Sequence, residues 1–351
     1  QDKHRLLPDL KKTRLPHSVG SGQERGNPLK TTVVIPNYNG IQYLENCLRS
    51  LEHCFPEHGG PTFAVIIVDN GSDDGSAEMA ERLFPWVRLI HFPENKGFVE
   101  AVNEGIRQSA TPYVFLLNND TTVDPGCIRR LERRMDSDPT LFSVATKMLS
   151  MAQPDVMDGA GDLYSALGWA YAIGKGRPSA DYNAPVPVFS ACAGAALYRR
   201  EYLEKTGLLD EIHFAYLEDV DLGYRARILG YKNCYEPTAR VYHAGSATTG
   251  SRYNPFKIAH SSRNNIYLIY KNMPFFQLLL NLPFLAAGFF MKILFFCAKG
   301  YGGVYLKGMG QGFRLCATPE ARARKVRFKP ANFGHYITIQ LELWLNMFRR
   351  I

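Results

Sequence analysis

The first 30 residues lack any apolar stretch of the kind that forms a signal-peptide core. They also lack periodicity and are rich in Pro, Gly and basic side chains, so 1–30 is expected to be a polar N-terminal extension, disordered in part. None of the seven cysteines stands in a CxxC pair. That argues against a zinc ribbon and a disulfide framework and leaves reduced thiols, as in a cytoplasmic setting. Acid is not in excess either: 41 Lys and Arg against 33 Asp and Glu give a net charge of +8, which favours anionic partners. No nucleic-acid-binding motif accompanies that charge, so nucleic acid is not an expected partner.

What is present is an alternation. TTVVIPNY, FAVIIVDN, VRLIHF and YVFLLNND are short apolar runs rich in β-branched residues. Between them, Ile41 to Leu51, Ser76 to Phe84 and Phe98 to Ser109 carry apolar residues at helical spacing. The pattern predicts an α/β fold, a Rossmann-like and mostly parallel central sheet with flanking helices, over 31–252. Such sheets bind ligands beyond the carboxyl ends of their strands, so the chemistry is sought in the polar clusters there.

Pro36-Asn37-Tyr38-Asn39-Gly40 closes the first run and Asp69-Asn70-Gly71-Ser72-Asp73 the second. A carboxylate at a strand tip accepts from a pyrimidine N–H or a ribose hydroxyl, and Tyr38 offers a stacking face. Either string alone also reads as a turn. Asn95-Lys96-Gly97-Phe98 opens a helix whose N-terminus favours an anion. Asp120, after Asn118-Asn119, ends a buried run, as a turn residue or as an oxygen ligand for a hard cation. In FAYLEDVDLGYRARILGY, Glu218, Asp219 and Asp221 gather at a helix start, where they complement the helix dipole or supply a general base. His243 ends another strand-like stretch, as a structural residue or, beside a cation site, as a ligand.

Taken in order, VVIPNYNG, VDNGSDDGS, ENKGFVEAVNEGI, FLLNNDT, ACAGAALYRREYLEKTGLLDE and FAYLEDVDLGYRARILGY resemble glycosyltransferase family 2, with the GT-A fold, and within it the bacterial rhamnosyltransferase-like branch. The likeness covers about 31–250, and SSRNNIYLIYKN more loosely. It implies an inverting transfer of a sugar, L-rhamnose from dTDP-rhamnose first and a UDP-hexose or N-acetylhexosamine next, onto an acceptor hydroxyl. It implies donor-nucleotide contacts at Pro36, Tyr38, Asn39, Asp69, Asn70, Lys96, Gly97 and Asn119. Asp219 matches the catalytic base, paired with Glu218. Asp120 and His243 match the positions that hold Mg2+ or Mn2+ with the diphosphate, and Ala193, Gly194 and Asp221 fall on the acceptor side. Asn118 replaces the usual first Asp of the DXD motif, which leaves Asp120 as the main carboxylate ligand. Other classes fit less well. A sugar-phosphate nucleotidyltransferase needs a Gly-rich basic loop where this chain has PNYNG, and a processive synthase needs QxxRW, of which Gln311-Gly312-Phe313-Arg314-Leu315 is a displaced near match without the Trp. A catalytically inactive scaffold subunit is the remaining alternative.

From 253 to 351 the character changes to a C-terminal helical region. The apolar run from Phe275 to Ala298 is long enough to span a bilayer, but Pro274, Gln277, Pro283, Asn281 and Lys292 interrupt it. Interfacial or re-entrant helices are expected, ahead of a true span or a buried core. The basic ARARKVRFK that follows suits anionic headgroups. The partners so expected are a dTDP- or UDP-sugar, a lipid-linked saccharide acceptor and the inner face of the plasma membrane, where the protein sits peripherally. Homo-oligomerisation is left open.

Overall fold

The computed structural model describes residues 29–56, 61–245 and 254–349. The expected extension therefore lies, but for its last two residues, outside the described residues, as does the 252/253 boundary. In chain order the elements are β1 (Thr31–Asn37), α1 (Ile41–Glu52), β2 (Ala64–Asn70), α2 (Ser76–Leu83), β3 (Arg88–Phe92), α3 (Phe98–Gln108), β4 (Tyr113–Leu117), β5 (Thr121–Val123), α4 (Cys127–Ser137) and β6 (Leu141–Ser150). There follow β7 (Met157–Gly159), β8 (Asp162–Tyr164), β9 (Ala170–Ala172), β10 (Pro187–Val188), β11 (Ala195–Arg199), α5 (Arg200–Thr206), α6 (Glu218–Ile228) and β12 (Lys232–His243). Five helices complete the described chain: α7 (Pro255–Asn272), α8 (Phe275–Ala298), α9 (Gly302–Cys316), α10 (Pro319–Ala323) and α11 (Phe333–Leu345).

The main sheet runs β10-β12-β6-β11-β4-β1-β2-β3. β3, β2, β1 and β4 are mutually parallel and so are β6 and β12, while β11 lies antiparallel between β4 and β6. The sheet is thus mixed but mostly parallel. Strand periodicity sorts its two faces. Val33, Ile35, Phe115 and Leu117 pack with α1, α2 and α4, whereas Val34, Val114 and Leu116 pack with α3, α5 and α6. Covering both faces explains why these strands read as continuous apolar runs.

A third core joins α6 to the C-terminal helices through Tyr164, Phe189, Tyr224, Leu268, Leu285 and Tyr336. Here α8 departs from expectation. Pro274 is only its N-cap and Pro283 sits inside an unbroken helix of 24 residues. Gln277 and Asn281 do not interrupt it: with Leu285 and Gly288 they form its one buried stripe. Gln277 accepts from the Tyr224 hydroxyl at 2.6 Å, and Asn281 exchanges hydrogen bonds with Gln340 at 2.8 Å. The outward face is apolar, with Phe275, Leu279, Phe290 and Leu294 exposed. Polar inside and apolar outside inverts the arrangement of a surface helix in water. On α11, Phe333, Ile337, Leu341 and Leu345 extend the same exposed apolar character at four-residue spacing.

Candidate functional site

The carboxyl ends of β1, β2 and β4 meet the N-terminus of α6 around a cleft of about 500 Å³. Pro36, Asn37, Tyr38, Asn70, Gly97 and Asn119 line one side; Asp120, His243, Gly194, Glu218, Asp219, Lys175 and Lys257 line the other. An amide network organises the nucleotide half. Asn119 donates to Asn37 at 2.8 Å, and Asn37 donates to Asp69 at 2.9 Å. Asp69 sits behind Asn37, buried, and also accepts from the Ser72 hydroxyl at 2.6 Å. Gly40 is required here, since a Cβ would lie 2.2 Å from Asn119 Nδ2 and 2.4 Å from Asn37 Oδ1. Asn70 ties down the next loop, donating to the Gly97 carbonyl at 3.1 Å and accepting from the Lys96 N–H at 2.9 Å. Lys96 gives only its backbone to this region; its ammonium lies over the Phe92 ring. Asn39 is exposed and serves the turn, accepting from the Asp73 N–H.

Across the cleft, Asp120 is buried and its Oδ1 has no hydrogen-bond donor among the described residues, as is also true of Asn118 Oδ1. His243 Nε2 lies 3.4 Å from Asp120 Oδ1, while its Nδ1 is bonded to Asp158 at 2.7 Å. Burial would lower the imidazole pKa, but the two carboxylates outweigh it and raise it to about 9. Asp158 is likewise brought down to about 2, against its own burial, by His243 and by Lys175 at 2.8 Å. Two orphaned oxygens, an imidazole nitrogen and a carboxylate behind that imidazole are a donor set suited to Mg2+ or Mn2+.

Asp219 opens α6 on the cleft floor, half-buried, with Oδ1 accepting from Val220 N–H at 2.7 Å and Oδ2 facing the Ala193 N–H at 3.4 Å. Its carboxyl pKa is raised by burial. Glu218 beside it is pushed up to about 8 by burial and by the charge of Asp219. Asp162 and Cys192 complete this acidic corner and lie within 4.8 Å of Asp219. Ala193 and Gly194 face the cleft as expected of small residues, Gly194 leaving room for Asn118.

Asp221 is a correction. It does not line the cleft; it is fully buried on the other side of α6, accepting from Lys271 at 2.8 Å, Arg225 at 2.9 Å and Asn272 at 2.7 Å. Burial would raise its pKa, but those cations hold it far below the carboxylate range. Asp210 shares Lys271 at 2.7 Å and also pairs with Arg324 at 2.6 Å. The acids Asp210 and Asp221 are therefore neutralised by side chains, which leaves no demand there for a metal.

The loop that delivers α6 is strained. Phe214, Tyr216 and Leu217 have φ of 61°, 71° and 67°, in the left-handed region, which costs bulky side chains on the order of 1–2 kcal/mol each. Helix α7 holds them. Asn264 donates to the carbonyls of His213, Ala215 and Tyr216 at 2.8–3.0 Å, and Arg263 donates to Ile212 and His213 at 2.9 Å. Sequence reasoning missed Asp158, Asp162, Lys175, Lys257 and this clamp. The loosely matching SSRNNIYL string, with its polar residues inside an apolar helix pattern, was the available signal.

Residues 32–207 match the profile described as "Glycosyl transferase family 2". An N-acetylglucosaminyl-diphospho-decaprenol L-rhamnosyltransferase of Mycobacterium tuberculosis is 28% identical over 261 residues, 67% of this chain and 83% of that one. The structure of Staphylococcus aureus TarS 1–349 in complex with UDP-GlcNAc matches with a TM-score of 0.56 at 15% identity, over 90% of this chain and 89% of that one. The mannosyltransferase PcManGT of Pyrobaculum calidifontis, in complex with GDP-Man and Mn2+, matches with a TM-score of 0.50 at 16% identity, over 90% and 84%. The fold is therefore GT-A, followed by a helical region with one long apolar helix.

Proposed function

Because the chain belongs to glycosyl transferase family 2, a family of nucleotide-sugar glycosyltransferases, we propose that it is an inverting enzyme that moves L-rhamnose from dTDP-rhamnose to a hydroxyl of a lipid-linked saccharide. The observation that carries this reading is the placing of Asp219 and the Asp120–His243 pair on one cleft, with the Asn37–Asn119 pocket beside them. Asn37, Asn70 and Tyr38 receive the nucleotide, and Asp69, buried behind Asn37, holds that amide in place. Asp120 and His243 Nε2, with Asn118 Oδ1, would hold Mg2+ or Mn2+, which when bound supplies Lewis-acid stabilisation of the departing diphosphate. Lys175 and Lys257 add positive charge on the same side. Asp219 takes the proton from the acceptor hydroxyl as it attacks the anomeric carbon; a base so placed contributes roughly 10²–10⁴-fold. Its raised pKa brings it nearer to that of the proton it must hold. Rhamnose as the sugar rests on the mycobacterial relative's specificity. The exposed apolar faces of α8 and α11 suit a protein seated on a membrane surface, where a lipid-linked acceptor resides.

The test is donor hydrolysis and transfer across a panel of dTDP- and UDP-sugars, with Mg2+, Mn2+ or EDTA, for wild type and Asp219→Asn. Nucleoside diphosphate released from dTDP-rhamnose, and lost on chelation and on substitution, supports the whole reading. Release from a UDP-sugar alone replaces the donor but keeps the mechanism. Folded protein that turns over no donor returns the chain to the scaffold alternative.

A further inference from the structure

The catalytic cleft carries a group of aromatic rings in its wall. Phe214 and Tyr216, on the loop that leads into α6, and Phe256, in the first turn of α7, all line it. Phe256 stands at the centre of the group. Phe214 and Tyr216 meet it edge-on, with ring centroids at 6.4 and 6.2 Å, and His260, four residues further along α7, lies beside it at 4.0 Å. So braced, Phe256 is still 44% exposed. A lone exposed Phe needs no explanation, but this one is supported by backbone that costs energy. Phe214 and Tyr216 have the left-handed φ of 61° and 71°. Glycine would take that φ without strain, so what the strain secures is the two rings. Gly97 makes room for the first, since a Cβ there would come within 2.5 Å of the Phe214 ring. Strain that the surroundings hold in place is a feature of ligand clamps.

The place of these rings selects the ligand. Tyr216 lies three residues before Asp219, and the base must reach an acceptor hydroxyl. A pyranose carries its hydroxyls around its rim and presents C–H bonds on its faces. Such polarised hydrogens are drawn to the negative face of an aromatic ring. We propose that Tyr216 and Phe256, braced by Phe214, are the platform on which a pyranose ring of the acceptor stacks, so that one of its hydroxyls is delivered to Asp219. This rests on the glycosyltransferase reading above and gives its acceptor site a location and a chemistry.

The probes are the methyl β-pyranosides of glucose, galactose and N-acetylglucosamine, followed by saturation-transfer NMR with dTDP and Mg2+ present. Binding of at least one is expected, with saturation strongest on its ring C–H protons. Affinity should fall about tenfold in Phe256→Ala and in Phe256→Leu, which keeps apolar bulk without a ring, and return in Phe256→Trp. By calorimetry, nucleotide-sugars should bind Phe256→Leu as they bind wild type. Failure of every pyranoside to bind, or equal binding in Phe256→Leu, would overturn the assignment. So would a nucleotide-sugar that weakens in Phe256→Leu while its nucleoside diphosphate does not, which would give the rings to the donor's sugar. Calorimetry on the wild type reports separately on the glycosyltransferase reading: nucleotide-sugars that bind where pyranosides do not leave that reading standing and remove the platform alone.

Discussion

Replacing Asp221 by Asn keeps the shape of the side chain and removes one negative charge from the cluster beneath α6. Lys271, Arg225 and Asn272 donate to that carboxylate at 2.8, 2.9 and 2.7 Å. Breaking a buried ion pair from one side costs about 3–5 kcal/mol. Lys271 keeps Asp210 at 2.7 Å, and Arg225 keeps the carbonyls of Thr206, Gly207 and Leu208, so a loss near the lower end, about 3 kcal/mol, is expected. The carboxyl of Asp221 ionises at a lower pH in the folded chain than in the unfolded one. Its contribution is therefore complete above the unfolded pKa of about 4 and fades as pH falls below it through the folded value. Urea unfolding of wild type and Asp221→Asn should differ fully at pH 7 and converge below about pH 4. Asp219→Asn is the counterpart two residues earlier. With no cation paired to Asp219 among the described residues and its pKa raised by burial, neutralising it should leave stability unchanged or higher while turnover falls roughly 10²–10⁴-fold. An Asp221→Asn protein within about 0.5 kcal/mol of wild type, with a raised KM for acceptor, would refute the division of labour between the two acids.

Asn264→Ala frees the carbonyls by which the left-handed loop is held; kcat should drop about 5- to 150-fold, the equivalent of the roughly 1–3 kcal/mol of one lost buried amide, and an unchanged kcat would remove α7 from site organisation. Gly40→Ala forces Asn119 and Asn37 apart, so calorimetry should show nucleotide affinity falling about tenfold; unaltered affinity would mean the amide bridge does not shape the donor pocket. Asp158→Asn leaves His243 without its orienting carboxylate, and Mn2+ affinity read by paramagnetic resonance should weaken about 10–100-fold; equal affinity would take His243 out of the cation site. Ile337→Glu with Leu341→Glu charges the exposed stripe of α11 and should abolish co-sedimentation with anionic vesicles if α8 and α11 form the membrane face; unimpaired co-sedimentation would confine contact to other surfaces.

Period carried much of the fold. Val33 and Ile35 against Val34 set the two faces of the sheet, and the runs from Thr31 to Leu117 located their strands within a residue or two. Direction around a helix is harder to see. Successive helical residues turn by about 100°, so Asp221 lies about 200° round α6 from Asp219; adjacency in the string EDVD suggested one site where the helix has two. Asp158 and Asp162 sit on three-residue strands, too short for periodicity to distinguish from turns, and only tertiary packing brings them to His243 and Asp219. Gln277 and Asn281 were misleading for a related reason. Four residues apart in an apolar run they read as breaks, yet that spacing places both on one face, where they bind Tyr224 and Gln340.

The division at 252/253 that composition suggests is not a division in the energetics. Helix α7 supplies Asn264 to the backbone before Glu218 and Lys271 and Asn272 to the carboxylate behind it, while α8 supplies Gln277 to Tyr224 of α6. Each contact falls on the helix that carries Asp219 or on the loop that leads into it. A strained loop persists only where its surroundings over-determine it, and here the surroundings are the C-terminal helices. Helix α8 has the apolar outer face and also bonds α6, which carries the proposed catalytic base, through Gln277 and Tyr224, so surface attachment and site geometry meet on that helix.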